Sequence, residues 1–243
     1  MAILDALKTD ETIKEDGDSL GGFTVLESAV YPFVIKLAYV TKSASKAMVI
    51  TIHFTGENKT QMRQQFWVTS KETKGCKIFY INKKTNEKHY LPGFNQANAL
   101  CLLTCGKELG TMATDKKVIN VYDFNERKEV PTEVDVLSEL ENKQILAGVL
   151  KQTVDNRAKN ANTGEYEPTG ETRDENDIDK FFRIKDQLTV MEIRAQKTTP
   201  DFMEKWVSNW EGKTKDKTSK NTGIAGAPKR EVGKQAPTTE LFA

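Results

Sequence analysis

The sequence is poor in the residues on which most catalytic and metal sites depend. Its 243 residues include two histidines and three cysteines. It contains no Walker loop, no GxSxG motif and no HExxH motif. Histidine is the side chain whose usual pKa lies closest to neutrality, so two isolated histidines leave few candidates for acid–base catalysis. We therefore expect a protein that is not an enzyme and that uses neither a cofactor nor a metal ion.

Long apolar runs are also missing. No run approaches the roughly 20 residues that a transmembrane helix needs. The first residues, MAILDALKTDETIKEDGD, lack the long apolar stretch of a signal peptide. Three cysteines fit a reducing compartment, where thiols stay free. We expect a cytoplasmic protein without a membrane partner.

Two of the cysteines leave two interpretations open. Cys101 and Cys105 are four residues apart in a predicted helix and share one face of it. They could be half of a metal site, or they could be buried free thiols. Neither His53 nor His89 stands at a zinc-like spacing from other ligands, and free cysteine usually packs as a small apolar residue. Buried thiols are the favoured interpretation.

The overall charge does not decide the class of partner. The chain has 36 basic and 35 acidic residues, and its net charge is +1. Apolar residues make up 37% and charged residues 29%. Phosphate attraction depends on the local distribution of charge, so the balance neither requires nor excludes a nucleic acid.

The pattern along the chain divides it into three parts. Residues 1–22 are predicted to be a flexible lead, and residues 213–243, which are rich in Lys, Thr, Gly and Pro, a disordered tail. Residues 23–212 are predicted to form one domain. It begins with the strand-like runs FTVLESAVYPFVIKLAYVT, KAMVITIHFTG, QMRQQFWVTS, KIFYIN and KHYLPG.

A helix follows these strands and precedes others. GFNQANALCLLTCGKELG predicts a helix, and KKVINVYDFN and QILAGVLKQTV predict further strands. Strands at short intervals, one inserted helix and further strands are typical of an OB-fold-like antiparallel barrel. The predicted fold class is therefore mainly β, with long loops. Residues 155–180 are predicted to be a long exposed loop, because they contain few apolar residues and several turn formers.

Near the end of the domain, PDFMEKWVSNWEGK predicts a helix. Phe202, Trp206 and Trp210 fall on one face of it at four-residue spacing. These aromatics could form a stacking site, but their spacing favours a helix that packs on the sheet.

Aromatic and basic residues alternate along the predicted sheet, as in RQQFW and GCKIFYINKKTNEKHYLPGF. Single-stranded DNA offers unstacked bases and a dense line of phosphates. A protein that binds it needs aromatic faces, worth about 1–3 kcal/mol per base, and cations beside them. The alternative is that the aromatics fill the core and the lysines only solubilise the outer face. In KIFYIN, alternation predicts Phe79 and Ile81 on one face and Tyr80 on the other. Phe94 is predicted to belong to the core.

Four stretches between residues 20 and 212 carry a resemblance to a known family. They are GDSLGGFTVLESAVYPFVIKLAYVTKSASKAM, YLPGFNQANALCLLTCGK, KEVPTEVDVLSELENKQILAGVLKQTVDNRAKNANTGEYEPTGETRDENDIDKFF and FMEKWVSNWEGK. With these stretches the chain resembles the single-stranded DNA-binding proteins that tailed bacteriophages encode. The resemblance implies an OB-fold protein that coats single strands during DNA replication, recombination and repair in the cytoplasm of the host cell.

The resemblance also implies a binding surface, bounded by the 71–90 hairpin and the 151–183 loop. The implied stacking residues are Phe66, Trp67, Tyr80, Tyr90 and Tyr166. The implied phosphate-binding residues are Lys77, Lys83, Lys84, Lys88, Lys151, Arg157, Lys159 and Arg173. Replication or recombination proteins and further copies of the chain on DNA are the other partners that the resemblance implies.

The tail departs from the family pattern. Such proteins commonly end in an acidic segment with a terminal aromatic, which recruits replication proteins. Here only Glu240 and Phe242 match that ending, and the segment before them is mildly basic. The tail lysines could instead contact DNA.

Two other functions stay open. Glu133 and Asp135, followed by Lys143, could form the centre of a small metal-dependent phage nuclease if the two acids shared a strand face. The simpler interpretation is a solvated acidic edge. The third hypothesis is a β-rich virion or scaffold protein.

Overall fold

The computed structural model describes residues 25–123, 126–160 and 164–219. The predicted flexible lead and residues 220–243 of the predicted tail lie outside the described residues. The strands are β1 (Ala29–Lys42), β2 (Met48–Thr55), β3 (Gln61–Trp67), β4 (Phe79–Ile81), β5 (Lys88–Tyr90), β6 (Asp115–Asp123), β7 (Lys128–Val136), β8 (Gln144–Lys159), β9 (Tyr166–Phe182) and β10 (Thr214–Asp216). The α-helices are α1 (Pro92–Cys105), α2 (Val190–Arg194) and α3 (Asp201–Trp210).

The strands form one large and one small sheet. The large sheet runs in the order β10–β8–β1–β2–β3, with β9 paired to β8 and β7 paired to both β1 and β6. All of its pairs are antiparallel except β10–β8, and β4 and β5 form the separate small sheet. The mainly β, antiparallel fold with a helix between strands is confirmed. The large sheet is open and is not a closed barrel.

The main core lies between the inner face of the sheet and α1. On β2, Ile50, Ile52 and Phe54 alternate into it and are each at most 2% exposed. Helix α1 covers them with Leu100 and its neighbours. It begins at Pro92, whose missing N–H costs nothing at the first helical position, and ends at a glycine with a left-handed backbone.

The predicted loop at 155–180 is wrong, because β8 and β9 pair antiparallel over most of their length. We call the polar outer part of this ribbon, residues 153–160 and 164–174, the arm. Thr153 donates to Asp174 at 2.7 Å within the ladder. Strands that are polar on both faces carry no alternation signal, so their sequence cannot be distinguished from a loop.

Helix α3 packs on the sheet, as its aromatic spacing predicts. Trp206 is 3% exposed and lies against Gly148, where an added Cβ would approach the indole ring to within 2.9 Å. Its indole N–H donates to Asp179 at 2.9 Å. Phe202, at the start of the same helix, is 39% exposed. Trp206 of this helix forms a smaller core cluster with Leu150 and Phe182.

The first residues of the predicted tail are not disordered, because β10 pairs in parallel with β8. The chain continues along β8: the amide of Lys217 donates to the carbonyl of Thr153 at 2.9 Å, and the amide of Ser219 to Asp155 at 2.7 Å. Backbone pairing orders this segment although it is almost entirely polar.

Candidate nucleic-acid interface

The stretch from 77 to 90 forms a two-stranded hairpin, as predicted. Strands β4 and β5 pair in register, with Phe79 opposite Tyr90 and Tyr80 opposite His89. The amide of Asn82 donates to the carbonyl of Glu87 at 2.8 Å and closes the turn between them. We call residues 77–90 the hairpin.

The two faces of the hairpin carry different aromatic residues. Residues directly opposite each other in an antiparallel pair lie on the same face. Tyr80 and His89 therefore share one face, where their rings stack with centroids 5.7 Å apart, while Phe79 and Tyr90 share the other. The predicted division between Phe79 and Tyr80 is confirmed. Because Tyr80 is 48% exposed, one side of its ring remains available for stacking.

On the opposite face, Tyr90 lies next to α1. Its ring is 55% exposed and stands 5.0 Å from the ring of Phe94, which is half-buried and packs against the main core as predicted. Tyr90 thus has an aromatic support on one side and solvent on the other. A base could stack on Tyr80 or on Tyr90, but the two rings face opposite ways.

The lysines of the hairpin surround these rings. The ammonium groups of Lys77 and Lys88 lie 5.8 and 5.2 Å from the centroid of the Phe79 ring. Lys83 and Lys84 lie exposed in the turn. Among the described residues none of the four lysines forms an ion pair. The only acid of the hairpin is Glu87, whose carboxylate lies 3.6 Å from the imidazole of His89. The hairpin is therefore a locally cationic surface with exposed aromatic rings.

Neighbouring aromatics on β3 have opposite environments. Trp67 is 50% exposed, whereas Phe66 is 2% exposed and packs edge-on against Phe181 at 6.0 Å. The expectation that Phe66 stacks on bases is wrong, because its ring belongs to the core. The alternation in QMRQQFW could have distinguished the buried ring from the exposed one. Met62 and Phe66 share the apolar phase, and Trp67 follows the polar phase of Gln61, Arg63 and Gln65.

Three predicted residues meet on one face of the arm. Lys159 lies opposite Tyr166, and Arg157 lies opposite Pro168, two positions further along the same face. Tyr166 is 64% exposed. This end of the arm could also hold one base with two neighbouring cations.

Lys151 and Arg173 occupy a different setting. Lys151 is only 22% exposed in its side chain and pairs with Glu27 at 2.8 Å and Asp174 at 3.8 Å. The hydrogen bond to Glu27 raises the pKa of the lysine. Arg173 pairs with Glu175 at 3.0 Å and bonds to the side chain of Asn156. Their charges already have partners within the protein, so the structure argues against their use as free phosphate ligands.

The residues of the nuclease hypothesis lie on the outer face of β7. Glu133 and Asp135 are both exposed and share that face, as the hypothesis requires. Lys116 donates to Glu133 at 2.8 Å, and this bond raises the pKa of the lysine. Lys143 is exposed after the 3₁₀ turn Ser138–Leu140. Within the described ranges, no group of three or more His, Cys, Asp or Glu residues is placed to hold a metal ion.

The three cysteines are free thiols. Cys101 is buried in the main core, and burial raises its pKa to about 12, so it stays protonated at neutral pH. The thiol of Cys105 donates to the carbonyl of Glu139 at 3.4 Å. The pair is part of the packing between α1 and the following turn.

Among the residues that the structure describes, no helix combines the length and the apolar character of a membrane span. Comparison of the chain with protein-family models, curated proteins and solved structures finds no match. The resemblance to phage single-stranded DNA-binding proteins therefore stays a prediction, based on the stretches quoted above.

Proposed function

We propose that this protein binds single-stranded DNA without catalysing a reaction on it. The observation that carries the proposal is the hairpin, where half-exposed aromatic rings lie among four lysines without an ion-pair partner in the described chain. Exposed aromatic rings rimmed by polar residues are a feature of interaction surfaces. A partner that combines flat apolar faces with negative charge fits this surface, and single-stranded nucleic acid has both.

The fold is proposed to be of the OB type, with its barrel left partly open between β3 and β9. An OB-fold is a five-stranded, partly open barrel that binds oligonucleotides on its second and third strands and adjoining loops. In this protein five consecutive strands of the sheet follow the order β3, β2, β1, β8 and β9. The side-chain amide of Gln64 on β3 donates to the carboxylate of Asp177 on β9 at 3.0 Å, so side chains bring the two ends of this series together.

Binding would use two separate contributions. Trp67 and either Tyr80 or Tyr90 would each take one base on an exposed ring face, which contributes about 1–3 kcal/mol per base. Lys83 and Lys84 in the turn would contact phosphates and release counterions, so that affinity falls as salt rises. Bases in duplex DNA are already stacked on one another. Single strands would therefore be preferred, with little discrimination among sequences.

A titration of fluorescently labelled oligo-dT with the full chain, at several salt concentrations, tests this proposal. We expect tight binding, a steep fall of affinity with salt, and much weaker binding of a duplex of the same length. Affinity for oligo-dT no better than for the duplex would contradict the proposal. Incubation of the same labelled DNA with magnesium or manganese adds the nuclease test, because a binding protein leaves the strand intact.

The biological setting follows from the resemblance and is proposed with it. The protein would coat single strands during phage DNA replication, recombination and repair in the host cytoplasm. Replication or recombination proteins, and other copies of the chain on the same strand, are the proposed partners.

A further inference from the structure

A groove at the base of the hairpin has the properties of a nucleotide site, although the sequence did not indicate it. Its volume is about 560 Å³, within the range of small-molecule sites. Its lining includes Gln64 and Trp67 of β3, Lys71 and Lys74 of the segment that follows β3, and Pro92 and Asp177. It lies at the open edge of the sheet, where β3 approaches β9.

The walls of this groove are held in place by backbone contacts. Gly93 packs so closely on β3 that an added Cβ would lie 2.4 Å from the carbonyl oxygen of Trp67. Lys71 directly precedes the 3₁₀ turn Glu72–Lys74, and Lys74 is its last residue. The backbone amide of Glu72 donates to the carbonyl of Ser45 at 2.9 Å. The backbone of the groove is therefore already ordered before a ligand binds, and only its side chains lose freedom on binding.

The electrostatics of the groove favour an anion. Lys71 and Lys74 are exposed and form no ion pair in the part of the chain that the structure describes. The one acid in the lining, Asp177, is already bonded to Gln64 at 3.0 Å and to Lys217 at 3.3 Å. The lining therefore includes a half-exposed tryptophan, two cations without an ion pair among the described residues, and a carboxylate whose charge is offset.

We propose that this groove binds one nucleotide of the DNA strand, with its base on Trp67 and its phosphate between Lys71 and Lys74. The inference rests on the proposed DNA binding and adds two phosphate ligands to it. Residues 91–93 follow the hairpin and line the groove, so a DNA strand bound to the hairpin can continue into the groove. Occupancy of the groove distinguishes this path from one that continues along the arm.

The test uses the full chain with Lys71→Glu and Lys74→Glu together, titrated with labelled oligo-dT. We expect a loss of affinity of at least about tenfold, and a decrease of about 1.4 in the slope of log K against log salt, 0.7 for each lost contact. The matched control is Lys185→Glu with Lys205→Glu, which makes the same charge change on exposed lysines away from the groove. Unchanged melting temperatures identify the variants as folded.

Each result has one meaning. If the wild-type chain does not bind oligo-dT, the proposed function fails, and the groove proposal fails with it. If the wild-type chain binds and Lys83→Glu with Lys84→Glu weakens binding, while the groove variant equals its control, the groove proposal is overturned and the function stands. Cross-linking of an oligonucleotide that carries 5-iodouracil gives an independent readout. Attachment at Trp67 supports the proposal, and attachment confined to Tyr166 contradicts it.

Discussion

The hairpin and the arm are both two-stranded antiparallel ribbons, and the sequence predicts that both bind DNA. The hairpin has four lysines and one acid, whereas the arm has three basic and five acidic residues. Hairpin lysines lie over aromatic rings or in the turn without ion pairs among the described residues, while Arg173 of the arm is bonded to Glu175 and Asn156.

The difference teaches that a basic residue in the sequence is not necessarily a free cation in the fold. In the arm, alternation along β9 places Glu175 on the same face as Arg173, and the ion pair holds both charges in one geometry. In the hairpin, the ladder is short and pairs aromatic with aromatic residues. The hairpin is therefore expected to provide most of the binding energy, and the arm to assist.

The largest expected effect concerns the core that supports both ribbons. Phe66→Ala should lower the free energy of unfolding by about 3–5 kcal/mol, because a fully buried ring leaves a cavity behind. Urea unfolding of the variant and the wild-type chain measures this. The smaller truncation Phe66→Leu leaves a smaller cavity, so it should cost less than the alanine variant and should bind DNA normally. A loss below about 1 kcal/mol for the alanine variant would place the ring outside the core.

The second largest expected effect is the loss of DNA binding when the hairpin surface is removed. Tyr80→Ala combined with Lys83→Glu and Lys84→Glu should weaken oligo-dT binding by about 100-fold or more. One stacking contact contributes about 1–3 kcal/mol and two phosphate contacts are lost with it. Anisotropy titrations at fixed salt measure the change. A loss of affinity of less than threefold would show that the hairpin is not part of the DNA-binding surface.

The matching change in the arm should have a smaller effect. The matching variant combines Arg157→Glu, Lys159→Glu and Tyr166→Ala. Like the hairpin variant, it reverses two positive charges and removes one tyrosine ring, here on one face of the arm. We expect affinity for oligo-dT to fall by about 3- to 10-fold, because the acids of the arm already repel the phosphates in the wild-type chain. An arm variant that binds more weakly than the hairpin variant would reverse the comparison.

The smallest effect is local and depends on pH. Ser219 donates its side-chain and backbone hydrogens to Asp155, and these bonds hold the pKa of the carboxyl below its usual 3.8. The contact is therefore present above pH 3.8 and is lost as pH falls through the lower pKa of the folded state. The amide proton of Ser219, followed by NMR, should shift with this titration.

Asp155→Asn provides the control for that measurement. The variant should abolish the pH-dependent shift and leave the amide signals of the hairpin unchanged at neutral pH. A Ser219 signal that titrates equally in both proteins would show that another group is responsible.

Much of the fold could be predicted wherever one face of a strand is apolar and the other polar. Alternation along β1 to β3, the hairpin turn and the spacing of Trp206 in α3 all produced the observed elements. The arm could not be predicted, because both of its faces are polar and only backbone pairing and cross-strand bonds distinguish it from a loop. The segment around β10 was missed for the same reason.

For the candidate site, the sequence by itself determined where aromatic and basic residues are concentrated, because composition along the chain is a local property. It also determined that Phe79 and Tyr80 face opposite ways, since alternation follows from strand geometry. Only the tertiary structure decided that Phe66 is core and Trp67 is surface. It also decided that Lys151 is held in ion pairs and that Trp67, Lys71 and Lys74 line one groove. Burial and charge pairing depend on which distant segments pack together, and contacts such as Gln64 with Asp177 join residues more than a hundred positions apart.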